Sequence, residues 1–146
     1  MRLGQAEVVR GGWDRRRLAA VAAGGALGAS LRWFALSLIE TNGFPWGVLA
    51  VNLLGALLLG ILLAEEWTHP AARLWLHDLG GIGFCGGLTT FSTFSLDVVE
   101  LARRGETTLA MAYTLASVLG AIVAITLGAA GFRRVRALTI PLEEAP

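Results

Sequence analysis

The sequence predicts an all-α integral membrane protein of four transmembrane helices, the third interrupted near its middle. Three observations predict it. Of 146 residues, 55% are hydrophobic and 16% charged, with mean hydropathy +0.63, a balance typical of membrane proteins rather than soluble domains. The apolar residues fall into four long runs, each near the ~20 residues that a helix needs to cross ~30 Å of hydrocarbon. All 12 basic residues are arginines, and all but Arg32 lie outside those runs.

Span one covers residues 18–39, with Arg32 as its one charge. Arg15-Arg16-Arg17 precede it, but the run is too long for the hydrophobic stretch of a secretory leader. Asn42-Gly43-Phe44-Pro45 then reads as a turn, because Gly accepts positive φ and Pro disfavours continued helix. Span two covers residues 44–64 and holds Asn52. Span three covers residues 79–101, and span four covers residues 107–132, closed by Arg133-Arg134. The connections 40–43, 65–78 and 102–106 leave no room for a soluble domain, so residues 1–146 form a single membrane domain with flexible tails at 1–14 and 135–146. Trp46, Trp67 and Trp75 fall at span ends, where indoles suit the headgroup layer.

Small residues recur along the spans: Gly24, Gly25 and Gly28, then Gly55 and Gly60, then Gly120 and Gly128. In lipid they let helix backbones approach closely. Four helices bury little of their own surface, which points to a self-complementary oligomer. An even number of spans puts both termini on one side. That side carries nine arginines and the other two, Arg103 and Arg104. Positive residues stay in the cytoplasm, which places both termini inside the cell, and the chain is expected in the cell (inner/plasma) membrane.

Several residues in the spans could carry chemistry. Gly83-Phe84-Cys85-Gly86-Gly87-Leu88-Thr89-Thr90-Phe91-Ser92-Thr93-Phe94-Ser95 crowds glycines, hydroxyls and two aromatics into span three. So polar a run is tolerated at membrane depth only inside protein or along a cavity. Gly86-Gly87 before Thr89-Thr90 suggests a break in the helix. The break is either a kink satisfied by neighbours or a source of free carbonyls for a cation. Phe91 and Phe94 share a helical face, as packing residues or as ring edges, which are electropositive. With hydroxyl and amide donors, such edges make a path for a small, strongly hydrated anion. Asn52 is either an interhelical hydrogen bonder or one of those donors. Tyr113 and Ser117, four apart, extend the polar track. Asp97 lies a turn deeper than interfacial Glu100, and Arg32 either snorkels or neutralises a vestibule.

Other chemistries find no support. Cys85 is the single cysteine, and His69 and His77 have no ligand cluster around them. No nucleophile–base pair, phosphate loop or basic nucleic-acid patch is evident, so neither an enzyme nor a nucleic-acid partner is expected.

Three motifs resemble the CrcB/Fluc family of fluoride channels: Gly24-Gly25-Ala26-Leu27-Gly28-Ala29-Ser30-Leu31-Arg32-Trp33, Gly47-Val48-Leu49-Ala50-Val51-Asn52-Leu53-Leu54-Gly55, and the run from Gly83 to Ser95. The resemblance spans about residues 18–132. It implies a passive fluoride-selective channel that exports the ion and lowers its toxicity, built as an antiparallel, dual-topology dimer with two pores. It implies that Phe91 and Phe94 supply aromatic edges and that Asn52 donates to fluoride. Ser92 and Thr93 would line the route with Tyr113 and Ser117, and Arg32 would draw anions in. It further implies a structural sodium ion (Na+) on the backbone carbonyls of Gly86 and Thr89. Asp97 stands where the family often has Glu, and Ala121 where some members carry a hydroxyl. The nine-to-two arginine bias adds a heterodimer with an oppositely oriented homologue as an alternative to the homodimer.

Two rivals fit four spans. A small multidrug exporter needs a carboxylate within span one, and Glu40 is only at its end. A non-transporting assembly subunit explains the glycines but not the hydroxyl–phenyl run.

Overall fold

The computed structural model describes residues 14–39, 43–64, 67 and 69–139. Among these residues it is entirely helical. Helix α1 is Arg15–Leu38 and α2 is Trp46–Leu62. Helix α3, residues 70–88, opens at Pro70–Ala72, widens to a π-helix over Arg73–Cys85 and returns to α at Gly86–Leu88. Helix α4 is Phe91–Arg103 and α5 is Thr107–Thr139.

By length and composition, α1, α5 and the run Pro70–Arg103 are long and apolar enough to cross a membrane, while α2 has 17 residues. At 1.5 Å per residue α2 still extends ~25 Å, the short end of the spanning range. The chain is thus a multi-pass membrane protein.

Two boundaries differ from the sequence reading. Span three was expected from residue 79, after a connection over 65–78, but its helix begins at Pro70. Proline suits a first helical turn because its missing N–H would be unpaired there anyway. His77 and Asp78, which look like loop residues, lie inside the helix because Asp78 is neutralised from α1. At the other end α5 continues to Thr139, five residues into the segment expected as a tail (135–146). Arginine is a good helix former and complements the negative end of the helix dipole. The expected tail at 1–14 lies outside the described residues except for Asp14, which caps α1 by accepting from the Arg17 N–H at 2.7 Å.

The helices pair α1 with α3 and α2 with α5. Glycine makes both approaches possible. A Cβ on Gly24 would fall on the Leu79 carbonyl, and one on Gly28 on the Phe84 carbonyl. Gly60 and Gly128 stand in the same relation to the backbones of Ile125 and Leu57. The buried core is small: Leu49, Leu101, Ala110 and Tyr113, flanked by Phe44, Leu53 and Phe94. It lies where α2, α4 and α5 meet.

Candidate anion site at the α3–α4 junction

Between α3 and α4 the backbone is extended at Thr89 (φ −78°, ψ 156°) and Thr90 (φ −146°, ψ 120°). Two helix ends therefore face each other inside the chain, and each leaves backbone groups without helical partners. The carbonyl side belongs to α3. There the Cys85 carbonyl accepts from both the Thr89 N–H and its hydroxyl, each at 3.0 Å. The Thr89 carbonyl accepts from Arg32 Nη1 at 2.8 Å. A cation at the C-terminal end of a helix is favourable, so Arg32 turns inward to this break and lies outside the two cavity walls described below.

The donor side belongs to α4. Thr90 is its N-cap, with Oγ1 accepting from the Thr93 N–H at 3.2 Å and lying 3.0 Å from Thr93 Oγ1 and 3.3 Å from Ser92 Oγ. Asn52 holds the same residue from α2: its Oδ1 accepts from the Thr90 N–H at 2.8 Å, and its Nδ2 donates to the Thr90 carbonyl at 3.1 Å. The amide thus pairs with Thr90 as a neighbouring strand would, leaving one Nδ2 hydrogen for other use.

A cavity of about 720 Å³ opens against this junction, and Asn52, Gly86, Thr89, Phe91, Phe94 and Ser117 are in its wall. Phe91 is 80% exposed on that face, with its ring centroid 5.7 Å from that of Phe94. Phe94 lies 5.3 Å from Tyr113, centroid to centroid. Tyr113 is fully buried and donates to Asp97 Oδ2 at 3.2 Å. Asp97 and Thr93 in turn line a second cavity of about 250 Å³, together with Glu100 and Arg104. Phe94, Tyr113 and Asp97 therefore bridge the two spaces. Ser117 Oγ is buried with no partner at hydrogen-bond distance, alone in this among the buried side-chain polar atoms of the described residues. Its polar neighbour is the Tyr113 hydroxyl one turn earlier, which already donates to Asp97.

Most of the residues singled out from the sequence gather here. Ser92 is exposed and lies outside both cavity walls. Ala121 extends the larger wall without a hydroxyl. The sequence reading missed Thr90 as the cap, although Thr immediately before a helix is a readable start signal. It also missed Phe44, whose ring meets Tyr113 edge-on at 5.4 Å.

The two carbonyls assigned to sodium suit a hard cation in being oxygen donors. Gly86 is open, with nothing within 4 Å of the position of a Cβ. Thr89 offers only the lone pair that Arg32 leaves, and the guanidinium charge opposes a cation there.

Residues 19–129 match the family model described as "CrcB-like protein, Camphor Resistance (CrcB)". The chain belongs to the CrcB family. Its relatives include the fluoride-specific ion channel FluC of Bordetella petrii, 42% identical over 117 residues, covering 80% of this chain and 91% of that protein. FluC of Nitrobacter winogradskyi is 47% identical over 116 residues, covering 75% and 89%. FluC 1 of Mycobacterium bovis is 38% identical over 125 residues, covering 84% and 95%. These CrcB relatives are named as ion channels, not as enzymes.

Proposed function

We propose that this CrcB-family chain is a fluoride channel that lets the ion leave the cytoplasm passively across the inner membrane. The observation that carries the reading is the Ser117 hydroxyl, buried in the same wall as Phe91, Phe94 and Asn52 with no partner at hydrogen-bond distance and only the Tyr113 hydroxyl near it. A buried polar atom with no partner at that distance calls for an explanation, and a permeating ion supplies one. The donor end of α4 faces the same space, and helix N-termini favour anions.

Fluoride holds water tightly, so its path must offer dense donors that still release it. Asn52 contributes its remaining amide hydrogen, Ser117 a hydroxyl, and Phe91 and Phe94 their ring edges. Thr93, Tyr113 and Asp97 continue the route toward the smaller cavity, with Ser92 beside Thr90 and Arg32 adding positive charge at the break. Fluoride enters cells as the neutral acid, ionises and accumulates. A negative interior then drives the anion out through the channel.

The reading includes a dimer. A face that sets exposed Phe91 beside the backbone of Gly86 and Thr89 is a poor surface to give to lipid, and a second, oppositely oriented copy would cover it. Sodium belongs to the same proposal: the carbonyls of Gly86 and Thr89 would hold it, the Thr89 oxygen shared with Arg32 against the repulsion of that guanidinium, and it would supply fixed positive charge. The nine-to-two arginine distribution favours a second reading, a heterodimer with an oppositely oriented homologue. Thiol labelling of single-cysteine tails, in a background lacking Cys85, decides: labelling from both faces eliminates the heterodimer.

Fluoride efflux from liposomes holding the purified protein, followed with an ion-selective electrode, tests the function. Rapid fluoride release with chloride retained is the expected result. No fluoride release, or equal chloride release, overturns the proposal.

A further inference from the structure

Away from the ion path, a third cavity of about 400 Å³ opens where the start of α1 meets the start of α3. Its floor is neutralised by the chain itself. Arg17 donates to both Asp78 oxygens, Nε to Oδ2 at 2.6 Å and Nη2 to Oδ1 at 3.0 Å. His77 Nδ1 lies 2.8 Å from Asp78 Oδ1, and Asp78 is fully buried. The rim is different. Arg16 and Arg73 are exposed and have no side-chain hydrogen bond or ion pair among the described residues. The remaining carboxylate, Asp14, already accepts from the Arg17 N–H. Two unpaired guanidinium groups thus converge on one cavity from two helices, beside the apolar wall of Leu74 and Trp75, the latter 60% exposed.

We propose that this cavity seats the phosphate of an anionic phospholipid. The inference rests on the membrane placement of the chain and is independent of fluoride permeation. Guanidinium forks match phosphate oxygens with two parallel hydrogen bonds each. The apolar wall would lie along the acyl chains, with the Trp75 indole at headgroup level. A free phosphate ion would gain nothing from that wall. The site sits on the arginine-rich side, which in one of two oppositely oriented copies would face the cytoplasmic leaflet, where anionic lipids attract basic pockets. There it would tether α1 and α3 to the membrane surface.

The test is native mass spectrometry of the full chain in detergent with phosphatidylglycerol, phosphatidylcholine or inorganic phosphate. The expected result is retention of phosphatidylglycerol about tenfold over phosphatidylcholine, ~1.4 kcal/mol. Both phosphates can accept from the arginines, but the choline cation is repelled by them and leaves its lipid without net charge, whereas basic residues favour the net negative lipid. Equimolar inorganic phosphate should not displace the lipid. The double variant Arg16→Gln/Arg73→Gln should lose the preference, and Arg103→Gln, at the far end of α4, should keep it. Equal retention of both lipids by the wild type, a preference surviving in the double variant, or loss in Arg103→Gln would each overturn the proposal. Displacement by phosphate would overturn the lipid assignment in favour of a free-anion site.

Discussion

At the Asp78 end of α3 the buried charge is matched within the chain, with Arg17 and His77 both engaged on one carboxylate. At the Thr89–Thr90 end the matching stops short: Arg32 and Asn52 engage the backbone, but Ser117 Oγ has no partner at hydrogen-bond distance and Phe91 stands exposed. Both regions put polar groups where lipid would exclude them. Polarity closed on itself holds helices together, whereas polarity left open is available to a ligand. Substitutions can therefore be sorted by whether they break a closed network or alter an open one.

Asn52→Leu should have the largest effect, because it opens a closed network. It leaves the Thr90 N–H and carbonyl unpaired, and each buried orphan costs about 1–3 kcal/mol. Folded yield and thermal midpoint should fall steeply, and fluoride flux should fall with them. If the midpoint is unchanged and only flux falls, Asn52 belongs to the open set instead.

Phe94→Ile acts on the open set. It keeps an apolar side chain against the Leu49–Tyr113 core but removes the ring edge. A ring edge that lowers the barrier by about 1.4 kcal/mol accounts for one decade of rate, so efflux should slow roughly tenfold. The thermal midpoint should fall only modestly, since the ring contacts with Phe91 and Tyr113 are worth about 0.5–1.5 kcal/mol each. Unchanged flux would count heavily against the aromatic path.

The difference between the regions also explains what the sequence could reveal. Hydropathy and arginine placement located the four apolar runs, since both depend on local composition. Asn52 and the hydroxyl–phenyl run stood out because they are polar where lipid is expected. Their partners were not readable: Asn52 meets a backbone 38 residues away and Arg32 one 57 residues away. The start of α3 was missed for the same reason. Asp78 looked like a loop residue because Arg17, 61 residues earlier, supplies the charge that lets it be buried. The extension of α5 to Thr139 was missed because Arg133 and Arg134 read as a span end, although a helix need not stop where a membrane does.

Ser117→Ala should have the smallest effect and divides the regions most sharply. In a closed network, deleting a hydroxyl strands its partner and destabilises the fold. Ser117 makes no bond at hydrogen-bond distance, and its polar neighbour Tyr113 keeps its bond to Asp97 without it, while alanine removes a buried oxygen that itself carries a desolvation cost. The thermal midpoint should therefore hold or rise. Flux should nevertheless fall, by a few-fold, since a net hydrogen bond of about 0.5–1.5 kcal/mol is lost to the passing ion. Stability and transport moving in opposite directions is an outcome that a packing role for Ser117 does not produce. If both fall together, the hydroxyl has a structural partner, and the contrast between the two ends of α3 loses its main support.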